Sequence, residues 1–390
     1  MNGKTGALLL IVALLVLQSC GTDKASRQNQ QIANDSSSYL QKTEIKHATG
    51  FSIQYYQNYK ILNILGSDSK AGDTLQYVLL ERGTTKPKGY PNAQVINIPI
   101  RSIVAMSSMH IGLLEFLGAE NILSGLGNLQ YVYSPAILAM IKAGKIAEVG
   151  RDQGLNEEKL IEMHPDAVMT VGGTGNKADH YQLLKQAGIP VIANSEWLEK
   201  TPLGRAEWVK MIGALLNQEK LVNEKFGEIE AEYGRLAALT KGSANKPSVI
   251  SGLNTKDAWF LPAGDSYMAQ FLKDAGTTYH WANTKSTGSL PINFETVYPI
   301  ALEADFWVNV GFGKDDTKKS ILTQDSRYSD FKAYQSGNMY SYNNRVNELG
   351  SNDFFESGTV SPHIVLSDLI RIFHPELLPE HKLVYYKQLR

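Results

Sequence analysis

Two short blocks written D-x-x-x-x-V-G, residues 166–172 and 305–311, stand on either side of a long amphipathic stretch, and this arrangement leaves few folds open. A helical run precedes each block, beginning Glu158-Lys159-Leu160 and Glu295-Thr296-Val297, so helix then strand is stated twice. The stretch between them opens on Thr201-Pro202, an N-cap with proline at the first helical position, and stops at Lys241-Gly242. Its apolar positions Trp208, Ile212, Leu215, Val222, Phe226, Ile229, Tyr233 and Leu236 recur at spacings of three and four, broken only by Glu219. Read as one helix over 202–240, it runs roughly 58 Å at about 1.5 Å per residue, longer than one domain. The expected fold is α/β, two lobes with central, mainly parallel sheets joined by that helix.

The rest of the chain agrees. After Arg101, short apolar strands alternate with helical segments: SIVAM then 109–117, DAVMTV then 178–187, PVIAN then the long helix. Before it, FSIQYY, YKILNIL and TLQYVLLER read as a small antiparallel β extension. At 390 residues and 43% hydrophobic, the chain can bury two cores of ordinary domain size. The expected divisions are 1–19 signal peptide, 20–46 lipidated tether, 47–100 β extension, 101–200 N-terminal lobe, 201–241 linking helix and 242–390 C-terminal lobe.

The first residues carry Lys4 and then an unbroken apolar run over 7–17, the length of an export leader and too short to span a bilayer. The sole cysteine, Cys20, follows directly, so the fold has no disulfide, thiolate cluster or cysteine nucleophile, and its stability rests on burial. Residues 21–46 are polar and rich in Ser, Asn and Gln, a composition that reads as a tether. The formal charge is -1, and loss of 1–19 removes Lys4 alone, so no electrostatic footprint for nucleic acid is present. Leu17-Gln18-Ser19-Cys20 resembles the bacterial lipobox, which implies acylation of the Cys20 thiol and a membrane anchor.

Three longer patterns resemble the helical-backbone class of periplasmic substrate-binding proteins, which serve ABC importers of ferric siderophores, haem and cobalamin. They are IVAMSSMHIGLLEFLGAENILSGLG, DQGLNEEKLIEMHPDAVM and the closing SPHIVLSDLIRIFHPELLP, and the resemblance covers about residues 95–380. One departure is Ile111-Gly112, where the family's first helix commonly carries an acidic residue after a threonine. The resemblance implies a monomeric, lipid-anchored periplasmic receptor with no resident cofactor or metal, holding an iron chelate or cobalamin between its lobes. It also implies delivery to a permease dimer, with Glu158 and Glu295 docking onto basic pockets. A carboxylate at a helix N-terminus is favoured by the helix dipole and can take a bidentate arginine.

In α/β lobes, ligands meet the loops at the carboxyl ends of the strands. Those loops carry the expected cargo-binding residues Tyr131, Trp197, Trp259, Tyr267, Phe354 and Arg345, with Arg151 and Lys256 as further cations. Rigid aromatic surfaces with a few fixed donors suit a large, flat, partly apolar chelate. His110 follows the first strand of the first lobe and reads as a structural histidine. The eight histidines do not cluster, so a site for bare zinc or manganese is not expected. A competing signal is the G-x-G-x-x-A run Gly173, Gly175, Ala178, with Glu196 about 20 residues on and a Tyr181/Lys185 pair, as in a dinucleotide-binding oxidoreductase. The leader argues against it, because nicotinamide cofactors are not maintained outside the cytoplasm. No G-x-S-x-G elbow or other nucleophile and base points to an enzyme.

Overall fold

A computed structural model describes residues 39–65, 74–151, 154–172, 181–255, 258–311 and 313–390. Four strands open the chain: β1 (Phe51–Tyr55), β2 (Tyr59–Leu65), β3 (Thr74–Glu81) and β4 (Gln94–Ile98), ordered β1-β2-β3-β4. The first three are antiparallel as expected, but β4 lies parallel to β3, so the sheet is mixed. Alternation along β2 and β3 sends Leu62, Ile64, Tyr77 and Leu79 into the core of the next unit, and Ile61, Val78 and Leu80 to the opposite face. The Tyr77 hydroxyl donates to Val191 O at 2.8 Å, and Val191 N donates to the Gln94 side chain at 2.9 Å, covering an edge strand of the first lobe.

The first lobe runs β5 (Ile103–Ala105), α1 (Met109–Phe116), β6 (Leu123–Leu126), α2 (Pro135–Lys142), β7 (Ala147–Glu148), α3 (Glu157–Met163), β8 (Ala167–Val171), α4 (Gln182–Gln186) and β9 (Val191–Asn194). Its sheet, β7-β6-β5-β8-β9, is wholly parallel. Alternate residues divide between two cores: Ile103, Ala105 and Met169 on one face, Val104 and Val168 on the other. A parallel sheet buried on both faces is why these strands read as unbroken apolar runs.

Three helices link the lobes: α5 (Pro202–Glu207), α6 (Val209–Leu216) and α7 (Glu219–Lys241). This corrects the single helix expected over 202–240. Asn217 is left-handed at φ 55°, and the Lys60 ammonium donates to Ala214 O and Asn217 Oδ1, each at 2.7 Å, while pairing with Glu219. Lys60 thus caps the end of α6 and neutralises the glutamate that interrupted the apolar pattern. At about 1.5 Å per residue, the 23-residue α7 extends roughly 35 Å. It buries Val222 and Phe226 in the first core, and Tyr233 and Leu236 in the second.

The second lobe contains β10 (Ser248–Ser251), β11 (Asn254–Thr255), β12 (Ala258–Pro262), α8 (Tyr267–Asp274), β13 (Thr278–Tyr279), β14 (Ser289–Ile292), α9 (Phe294–Glu303), β15 (Phe306–Val308), α10 (Lys318–Leu322), α11 (Lys332–Ser336), β16 (Met339–Ser341), α12 (Ser357–Val360), α13 (Pro362–Phe373) and β17 (Lys387–Gln388). The main sheet is β13-β10-β15-β16-β17, parallel except for β17, and β11-β12-β14 form a small antiparallel sheet beside it. The repeated blocks occupy equivalent places. Asp166 N donates to Ser102 Oγ at 3.0 Å beside β5, and Asp305 N donates to Ser248 Oγ at 3.1 Å at the start of β10. Each aspartate therefore ties the start of its strand to the lobe's first strand.

Candidate functional site

The lobes meet through loops from the carboxyl ends of their strands, along two seams. At the first, the Glu356 carboxylate accepts from Tyr133 N at 2.6 Å and Ser134 N at 3.0 Å. Asn347 Nδ2 donates to Val132 O and Ser351 Oγ to Gln130 O, each at 2.8 Å. Helix α1 packs closely here, since a Cβ on Gly112 would collide with the Glu356 carbonyl. At the second seam the guanidinium of Arg205, on linker helix α5, lies 4.4 Å from the ring centroid of Tyr267 at the start of α8, and Lys200 of the first lobe pairs with Asp265 at 3.5 Å.

Rings and guanidinium groups flank these seams. Tyr131 is 50% exposed, with Arg151 at 5.3 Å from its centroid. Two residues on, Tyr133 has Arg345 of the other lobe at 5.5 Å. Arg345 also pairs with Asp353 at 2.7 Å. The Trp197 indole N donates to Gly172 O at 2.7 Å, which fixes the half-buried ring beside Gly288 of the second lobe. These side chains present apolar faces with cationic edges, an arrangement suited to a rigid organic anion.

Burial shapes the electrostatics. Glu356 is 1% exposed, and burial pushes its carboxyl up to about 8 despite two backbone donors, with Glu115 and Asp353 adding to the rise. Burial also lifts Glu196 above the usual carboxylate range, opposed by Arg205. It pushes the His110 imidazole down to about 3, so that ring is neutral. Among the described residues, no three His, Cys, Asp or Glu side chains converge to hold a metal.

The two glutamates singled out in the sequence occupy matching positions. Asn156 caps α3, its side chain accepting from Lys159 N at 2.9 Å, and Asn293 caps α9, accepting from Thr296 N at 2.8 Å. Glu158 and Glu295 are each the second residue of their helix and both are exposed. They differ in surroundings: Arg327 approaches Glu295 at 3.7 Å while forming a fork on Asp325 and lying 3.8 Å over Phe294.

Residues 103–346 match the family model described as periplasmic binding protein. The chain belongs to the periplasmic binding protein family. An uncharacterized lipoprotein of Methanocaldococcus jannaschii is 28% identical to this binding protein, covering 97% of this chain and 94% of its own. A second lipoprotein of that organism is 22% identical over 98% of each chain. Among solved structures, Helicobacter pylori CeuE with Ni(II) bound superposes with TM-score 0.58 at 16% identity, covering 77% of this chain and 92% of that one. The periplasmic haem-binding protein of Vibrio cholerae gives 0.53 at 18%, covering 68% and 98%. The periplasmic vitamin B12-binding protein of Vibrio cholerae gives 0.52 at 14%, covering 70% and 97%. At these identities the likeness concerns the fold.

Within this binding protein the expected cargo residues divide. Tyr131, Trp197, Tyr267 and Arg345 stand at the seams. Trp259 does not: it is fully buried, its indole N donating to Ser251 O at 2.9 Å, in an aromatic cluster with Trp307, Phe294, Tyr328 and Phe331. Strand alternation gives the reason, since its neighbour Phe260 is the exposed ring of β12. Phe354 is likewise corrected, being 3% exposed and stacked on Tyr342 at 4.6 Å. Sequence reasoning passed over Arg205 and Glu356 as seam residues; the one available signal was Arg205 within the apolar run 202–216. The leader, Cys20, the tether to residue 38, Gly173, Gly175, Ala178 and Lys256 lie outside the described residues. Glu196, the acid of the dinucleotide pattern, is buried beside Arg205, with Nη2 to Oε1 at 3.5 Å.

Proposed function

We propose that this protein is the lipid-anchored capture subunit of an ABC importer, holding an iron chelate, siderophore or haem, between its lobes and presenting it to a permease dimer on the periplasmic face. The observation that carries the reading is the pair of matching lobes whose facing seams offer Tyr131 with Arg151, Tyr133 with Arg345 and Tyr267 with Arg205, and Trp197 beside Gly288 of the second lobe. Rings take the flat, apolar part of a chelate, and guanidinium groups take its carboxylate, phosphate or catecholate charge. In this reading the chain works as a monomer and the cargo leaves chemically unchanged.

Delivery needs a docking surface on both lobes. The equivalent placement of Glu158 and Glu295 supports that role, with Ile161 and Tyr298 one turn further along each helix. Exposed ion pairs are worth about 0 to 1 kcal/mol, so these glutamates orient the complex and speed encounter more than they hold it. The lipobox-like Cys20 supports membrane attachment, as do relatives named as lipoproteins; no described helix is long and apolar enough to cross a membrane.

Cobalamin is the alternative cargo, because the haem-binding and vitamin B12-binding neighbours resemble this fold about equally. Visible absorption and mass analysis of the material that co-purifies, followed by calorimetric titration of haemin, ferric catecholate and cyanocobalamin, separates the readings. Tight binding of cyanocobalamin alone moves the assignment to the alternative. Absence of binding to all three, with no chromophore on the purified protein, removes the chelate reading.

A further inference from the structure

One end of the four-stranded N-terminal sheet gathers three pieces of chain that the cargo reading does not use. The turn between β1 and β2 places Tyr56 and Tyr59 there, their rings stacked with centroids 4.6 Å apart. The loop after β3 leaves from the same end, since Tyr59 pairs with Leu80 and Glu81 N donates to Asn58 O at 3.1 Å. That loop returns Tyr90 to 6.0 Å from Tyr59. Beneath these rings, Ile61, Val78, Leu80 and Ala93 form a small core of their own, which gives the tyrosines a rigid base.

The third piece is the entering chain. Tyr39 meets Tyr55 edge-on at 5.6 Å, and Leu40 beside it is 98% exposed. Lys42 follows, and the loop after β3 carries Lys86 and Lys88, all three exposed. The nearby acids are Glu44, which is exposed, and Glu81, which is half-buried.

We infer that this end of the sheet is the face the protein lays on the bilayer that holds its anchor, with Tyr56, Tyr59 and Tyr90 at headgroup depth and Lys86 and Lys88 over anionic headgroups. Tyrosine suits that place because its ring prefers the apolar side and its hydroxyl the wet side. Lysines close to an anionic surface are each attracted to it, and two of them shift the bound fraction on the order of tenfold or more. The chain supplies the geometry: residues 21–38 separate Cys20 from Tyr39, reach at most about 65 Å when fully extended, and deliver the folded body by this end. The inference rests on the lipid anchor of the proposed function and is independent of the cargo.

Hydrogen exchange on the mature protein in nanodiscs tests it, comparing phosphatidylglycerol-rich with pure phosphatidylcholine bilayers, while mass analysis of the N-terminal peptide reads the lipid on Cys20 separately. The expected result is exchange slowed on the order of tenfold at residues 56–59 and 82–93 in the anionic discs. That slowing is lost in K86E/K88E, whose Cys20 lipid is retained. Exchange that is the same in both bilayers overturns the inference even when the lipid is present. Slowing that appears only with reconstituted permease assigns this face to the permease and overturns it too. If Cys20 carries no lipid, the anchor reading fails, and slowing on added anionic vesicles still upholds the face.

Discussion

Glu356 shows how much one buried carboxyl can govern. Its folded value of about 8 lies above the ordinary carboxylate value, so between roughly pH 4.5 and 8 the folded state holds more protons than the unfolded one. Its contribution to stability is complete below the ordinary value and is lost as pH rises through about 8, at up to about 1.4 kcal/mol per pH unit. Urea unfolding across this range is expected to show that decline, and Glu356→Gln to flatten it; an unchanged slope in the variant would assign the decline to other groups. Trp259 and Trp197 give a second contrast. Trp259→Ala empties the aromatic core and is expected to cost about 3–5 kcal/mol in denaturant unfolding. Trp197→Ala is expected to leave stability within about 1 kcal/mol and to weaken cargo binding in a calorimetric titration. Trp197 follows β9 whereas Trp259 lies within β12, and only the pleat of that strand decides that Trp259 faces inward while Phe260 faces out.

The linker teaches the same lesson for elements. Its helical periodicity was legible because the apolar face stays on one side of the segment across the break at Asn217, where no proline or glycine announces an interruption. The break is stabilised by Lys60, far away in the chain, and no local pattern reveals that partner. Lys60→Met leaves Glu219 buried without its charge partner and is expected to cost about 3–5 kcal/mol. The double variant with Glu219→Leu is expected to recover most of that loss; unfolding curves of the two decide. The segment before β1 is similarly hidden in sequence. Lys46, His47 and Ala48 donate backbone N–H groups to buried Glu207, and Thr49 and Gly50 donate to Glu199, strapping the start of the folded chain to the linker and to the residues just ahead of it.

For the whole molecule, α7 enters both cores and so restrains hinge motion between the lobes. Scattering with and without cargo is expected to show little change in radius of gyration; a large contraction would contradict a stiff linker. Glu158→Ala with Glu295→Ala is expected to abolish uptake while cargo affinity stays the same, and equal loss of both would mean these residues serve binding instead. The two-lobe α/β plan, the repeated aspartate-led strands and the helical linker were set by the sequence alone, because periodicity, caps and apolar runs are local properties that survive any tertiary arrangement. The structure alone decided that β4 runs parallel to β3, that the linker breaks at Asn217, that Trp259 and Phe354 are core, and that Glu356 and Arg205 join the lobes. Each of these depends on which distant groups meet in a low-dielectric interior, where a buried charge or donor requires a partner that residue spacing cannot name.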